Sequence, residues 1–195
     1  MKKLLPAHLL PFLITIMVLF GCKTSGQELS GYSPSSIDSL ENALTENLKG
    51  TERYELLTRL TEAWLDSVPE KAVEYGEEAL DISSHYNIEP GFDLYRNLAN
   101  AYEKTSRYIP AIEKMVVAKS MIAEQQGTKE LAAACNYLGH LYSRMGEYML
   151  SIENYEEAIR TGNEYYLEEE LAQAYYGLAI VYGSLGKTMD HIENY

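Results

Sequence analysis

Four leucines set the frame of this chain: Leu60, Leu98, Leu138 and Leu178, separated by 38, 40 and 40 residues. Four residues after each stands an aromatic, Trp64, Tyr102, Tyr142 or Tyr182. Directly after each comes a small or short residue, Thr61, Ala99, Gly139 or Ala179, and three before it lies Leu57, Tyr95, Cys135 or Tyr175. Offsets of three and four share one face of a helix. A second set follows at helical spacing: Ala72, Ala111 and Ser151, then seven residues on Ala79, Ala118 and Ala158. Small side chains there let two helices approach closely, while Leu and Tyr fill the space beside them. A period near 40 residues with two helical patterns in each unit predicts an all-α array of stacked hairpins.

The pattern resembles the tetratricopeptide repeat (TPR) family, W-x2-L-G-x2-Y followed by A-x3-F. Cys135, Leu138, Gly139, Tyr142, Ser151 and Tyr155 match it best, and Tyr95, Leu98, Ala99, Tyr102, Ala111 and Met115 match with conservative changes. The first repeat has Thr61 at the small position, and the fourth has His191 where Ala or Ser belongs. The resemblance covers 52–195, about four repeats with the last incomplete. It implies a right-handed superhelical α-solenoid. The family repeat is usually about 34 residues with a closing Pro; this one is longer and lacks that Pro. Breaks are expected at Asn87–Gly91, at Gly127 and near Tyr166, with Gly162 inside a helix. Ahead of the array, Ile37, Leu40, Leu44 and Leu48 predict a capping helix over 37–49 that covers the first repeat.

In such a solenoid the first helix of each pair lines a concave surface, using positions between the packing residues. The second repeat offers Arg96, Asn100 and Glu103 there. The third offers Asn136, His140 and Ser143, flanked by Tyr137 and Arg144, and the fourth offers Tyr176 and Ile180. Arg96, Asn100, Asn136, His140 and Arg144 read as a polar to basic patch able to hold a carboxylate or peptide backbone by charge-assisted bonds. Some members of the family clamp a peptide's C-terminal carboxylate with basic and Asn residues; here Tyr137, Gln173 and Gly177 occupy part of that set, so the clamp is incomplete. The other reading of these residues is an ordinary solvated groove.

The N-terminal stretch 1–21 has Lys2 and Lys3 and then an uncharged, mostly apolar run, the pattern of an export signal. Leu19-Phe20-Gly21-Cys22 resembles the lipobox of bacterial lipoproteins, which implies lipidation of Cys22 and attachment to a membrane of the cell envelope, facing the periplasm or cell surface. The other readings are an ordinary signal peptide and, third, an uncleaved anchor. Residues 22–36, rich in Ser, Gly and Pro without apolar periodicity, read as a tether. Cys135, on a helical core position, reads as a small buried apolar residue.

Lys plus Arg number 16 against 29 Asp plus Glu, a formal net charge of -13. That surface repels phosphate backbones, so no nucleic-acid partner is expected. His8, His85, His140 and His191 show no zinc spacing, no phosphate loop or nucleophile elbow is present, and the Glu pairs fall on solvated helix faces. No catalytic residue, metal or cofactor is expected. The leading expectation is an exported, lipid-anchored scaffold for protein or peptide partners, with homodimerisation through an open C-terminal end. The alternative follows from likeness to the N-terminal sensing arrays of bacterial histidine kinases and helix-turn-helix regulators: a sensory region of a truncated signal-transduction protein.

Overall fold

The computed structural model describes residues 33–45, 48–125 and 128–193, with the side chains of 34, 123–125, 128 and 187–193 outside that description. The export signal expected for 1–21, Cys22 and most of the tether expected for 22–36 lie outside it, as do Gly127 and the side chain of His191. The described residues form eight helices and no strand: α1 (Pro34–Leu44), α2 (Thr51–Trp64), α3 (Pro69–Tyr86), α4 (Phe92–Lys104), α5 (Tyr108–Gln125), α6 (Thr128–Met145), α7 (Tyr148–Tyr165) and α8 (Glu168–Glu193). Each helix packs on the next; in addition α2 touches α4 and α6 touches α8. The result is three hairpins, α2–α3, α4–α5 and α6–α7, followed by one long helix.

The repeat register is the core register. Leu57, Leu60 and Leu98 are 0% exposed and Leu138 is 2% exposed. Ala72, Ala79, Ala111, Ala118, Ser151 and Ala158 are all fully buried, so the small positions are the close approaches within hairpins. At one of them Ser151 Oγ donates to the Gly139 carbonyl at 2.7 Å, which satisfies a buried hydroxyl where two backbones nearly touch. Single left-handed residues turn the chain within hairpins, Ser106 (φ 60°) and Gly146 (φ 80°), and end α3 and α7 between them, Asn87 (φ 53°) and Tyr166 (φ 59°). Gly162 lies within α7, packed where a Cβ would stand 2.7 Å from Leu171 Cγ.

Two elements differ from their sequence expectation. The capping helix begins at Pro34, inside the stretch read as tether, because Ser33 caps it: the Ser36 N–H donates to Ser33 Oγ at 3.3 Å, and proline is preformed for the first helical position. It ends at Leu44, leaving Leu48 beyond the helix yet packed on the cluster of Ile37, Leu40, Leu56 and Leu60. The fourth repeat does not turn. Gly186 takes the place of Gly146 and Ser106 in the register, yet α8 runs through it as one 26-residue helix.

One carboxylate fastens the cap. Glu41 Oε1 accepts from Lys71 Nζ at 2.8 Å, Tyr75 OH at 2.9 Å and Trp64 Nε1 at 3.1 Å, joining α1 to α2 and α3. The bond from Lys71 holds the Glu41 carboxyl below its ordinary value of 4.5, while burial and then Glu41 push the Tyr75 hydroxyl up to about 12. A depressed folded pKa stabilises above the unfolded value and is lost as pH falls through the folded one. Acidification below the carboxylate range, or Glu41→Ala at neutral pH, is therefore expected to release α1 first. Amide exchange over Pro34–Leu44 should quicken roughly tenfold, the loss of charge-assisted bonds, with α4–α7 unchanged; uniform acceleration along the chain would refute that role.

Candidate binding groove

The first helices of the hairpins, α2, α4 and α6, together with α8, present their inter-core positions on one side of the array. Between α4 and α6 lies a cavity of about 220 Å³ lined by Phe92, Arg96, Asn100, Met115, Glu130, Ala133, Ala134 and Tyr137. Between α6 and α8 lies a second of about 300 Å³, lined by Ala133, Asn136, Tyr137, His140, Tyr155, Gln173, Tyr176, Gly177 and Ile180. Ala133 and Tyr137 border both, so the two form one groove divided by a tyrosine. Six of the seven singled-out residues, Arg96, Asn100, Asn136, Tyr137, His140 and Tyr176, are brought together on these walls. The seventh, Arg144, lies one turn past His140 on α6, where its guanidinium donates to Tyr108 OH at 2.9 Å.

The patch is not basic. Arg96 pairs with Asp93 at 2.9 Å and lies over the Phe92 ring. His140 Nε2 bonds Glu103 at 2.8 Å, and Tyr137 OH donates to the same carboxylate. The His140 bond, then that of Tyr137, holds the Glu103 carboxyl below its ordinary range. Burial, reinforced by Glu103, pushes the Tyr137 hydroxyl upward, so it stays a neutral donor. Glu103 thereby locks α6 to α4 across the groove, and Glu130 adds a further acid at the first cavity. The physical reason is the chain's acidity: Asp93 on the same helix reaches Arg96, and Glu103 on the neighbouring helix reaches His140.

Asn136 is a structural as well as a lining residue. It is 6% exposed, and its Nδ2 donates to the Glu170 carbonyl at 2.8 Å, tying α6 to the start of α8. Its Oδ1 is buried and accepts no bond among the described residues. Gly177 is explained by packing: a Cβ there would stand 2.2 Å from Tyr155 Cζ, and one at Gly139 would stand 2.9 Å from Tyr155 Cδ1. The Tyr155 ring, 5% exposed, is thus inserted between two glycines and reaches the groove from α7. Met115 does the same from α5. Sequence reasoning treated both as packing residues alone. Their shared place in the register, four residues after the small position, was the available signal that second-helix side chains reach through. Cys135 is fully buried, and burial pushes its thiol up to about 11, which makes it inert at neutral pH. Among the described residues no group of three or more His, Cys, Asp or Glu is placed to hold a metal ion.

No protein-family model and no curated protein matches the chain. Solved structures do. The chain is similar to BtubC from P. vanneervenii, with 24% identity and a TM-score of 0.61 over 78% of this chain and 65% of that one. It is similar to a Podosopora anserina putative kinesin light chain with nearly identical TPR-like repeats, with 18% identity and a TM-score of 0.65 over 82% of each. It is also similar to a Rap protein complexed with competence and sporulation factor, with 20% identity and a TM-score of 0.58 over 81% of this chain and 45% of that one. The chain spans less than two thirds of the length of BtubC and of the Rap protein. At such identities the likeness concerns the fold, and the fold of the described residues is a TPR-like α-solenoid.

Proposed function

We propose that this chain is a non-catalytic scaffold that binds a protein or peptide partner along the divided groove, exported and held at a bacterial cell envelope by lipid on Cys22. The observation that carries the reading is the pair of adjoining cavities sharing Tyr137. An extended segment crossing that ring would place alternate side chains in the two hollows. With every groove cation already partnered, the site suits the body of a segment better than a free terminal carboxylate. That a Rap protein of the same fold is complexed with competence and sporulation factor supports a solenoid of this kind as a receptor. Arg96→Glu with Arg144→Glu sets two acids against Asp93 and Glu103; it is expected to weaken partner binding about tenfold or more with helicity unchanged, and unchanged affinity would place the site elsewhere. Labelled lipid should enter the wild type and be lost in Cys22→Ala; equal labelling would remove the anchor.

The unbroken α8 favours a second reading, that the array is the sensing part of a signal-transduction protein and passes its state along a helix. Among the described residues no helix is long and apolar enough to cross a membrane. A reading frame that continues past the codon for Tyr195 into an output module would select this reading, and a stop codon would remove it.

A further inference from the structure

Besides its groove side, α8 has a second exposed face made of Ala172, Tyr175, Ala179, Tyr182 and Gly186. Tyr175 is 56% and Tyr182 54% exposed, and nothing lies within 4 Å of a Cβ at Gly186. The same face in the preceding repeat is Ala132, Cys135, Gly139, Tyr142 and Gly146. There α7 covers the first three positions: Ala132 and Cys135 are 0% exposed and Gly139 is buried, while Tyr142 is partly buried and Gly146 lies exposed in the turn. The first half of the α8 face is therefore built like one that receives a helix, yet among the described residues its two tyrosines are left more than half exposed. The face is also continuous, because the helix is not broken at Gly186.

The order of side chains identifies the helix that fits. Along the face, small Ala172, Ala179 and Gly186 recur every seven residues, with Tyr175 and Tyr182 three residues after the first two. When two such helices run antiparallel, small positions face large ones: Tyr175 of one copy meets Gly186 of the other, and Ala179 meets Tyr182. A parallel pair stacks Tyr on Tyr and leaves voids at Ala and Gly. The face is complementary to itself only in the antiparallel sense, which is what a two-fold interface requires, residue i on j and j on i. We propose that α8 is a self-association surface, pairing antiparallel with α8 of a second copy through Tyr175, Ala179, Tyr182 and Gly186 and leaving the groove free. The net charge of -13 per chain opposes the pairing, so added salt strengthens it.

Light scattering on the 195-residue chain over a dilution series should show twice the 22.1 kDa monomer mass, with dissociation on dilution. Ala179→Glu should give monomer with unchanged helicity, and Tyr176→Glu, on the groove side, should leave the dimer intact. In a Cys22→Ser background, mixing Tyr175→Cys and Gly186→Cys chains should yield a disulfide between the two variants and none within either alone. Monomer at every concentration, a dimer that survives Ala179→Glu, or a disulfide joining Tyr175→Cys chains to each other would each overturn the proposal.

Discussion

The Leu98→Ala variant is expected to lose about 3–4 kcal/mol of unfolding free energy, toward the middle of the range for a fully buried leucine. Leu98 is 0% exposed and stands where α4 meets the preceding hairpin: a Cβ on Gly76 would lie 2.5 Å from Leu98 Cδ2 and 3.1 Å from Thr61 Cγ2. Truncation removes the contact on which α3 and α4 close, and the rigid helices on either side leave a cavity rather than collapsing into it. In a solenoid each repeat is stabilised mainly by its neighbours. The loss therefore uncouples α1–α3 from α4–α8, and the unfolding transition should broaden or split as its midpoint falls. The equivalent Leu178, on α8, is only partly buried against the cluster that holds Ile152 and Tyr155, so Leu178→Ala should cost clearly less. Thermal denaturation of both variants measures the difference; equal effects at the two positions would mean that the register does not decide burial.

Gly177→Leu is expected to be comparably damaging, for the opposite reason. The Tyr155 ring fills the space where the new side chain must go, with Cζ at 2.2 Å and the hydroxyl oxygen at 2.5 Å from an ideal Cβ. Gly139 closes the other side of the ring, so it has no room to step aside. Expelling it exposes an aromatic that is now 5% exposed and pries α8 from α7. Overpacking of this kind costs about 1–3 kcal/mol before the lost aromatic contacts are counted, and removing a buried aromatic alone costs about 3–5 kcal/mol. The two changes act on one volume. Tyr155→Ala with Gly177→Leu should thus be less destabilised than the two single effects added together, by roughly 1–3 kcal/mol of coupling. A strictly additive double variant would show that the ring is not held between the glycines.

The hairpins were legible in the sequence because helical packing repeats at three and four residues, and Leu60, Leu98 and Leu138 with Ala72, Ala111 and Ser151 write that period plainly. Gly162 and Tyr166 were placed correctly by the same register. The missing turn at Gly186 was not legible. Glycine permits a left-handed turn but also continues a helix at a cost of about 1 kcal/mol, and nothing local distinguishes the outcome from that at Gly146. The groove's membership was largely readable from helix phase; its charge was not. Tyr137 and His140 reach Glu103 from 34 and 37 residues away, a pairing set by how two helices stack. Tyr155 reaches the groove through the gap between Gly139 and Gly177, and Met115 lines it from α5, which only the assembled helices reveal.

The central claim is that a partner occupies the inner face of the solenoid on both sides of Tyr137. A photoreactive side chain at Tyr176, 71% exposed on the groove wall, can be compared with one at Val116, 46% exposed on α5 and away from both cavities. Covalent capture of one partner is expected from Tyr176, lost when Arg96→Glu and Arg144→Glu are added, with no capture of it from Val116. Equal capture from both positions, or capture from Tyr176 that the paired charge reversals leave intact, would contradict it.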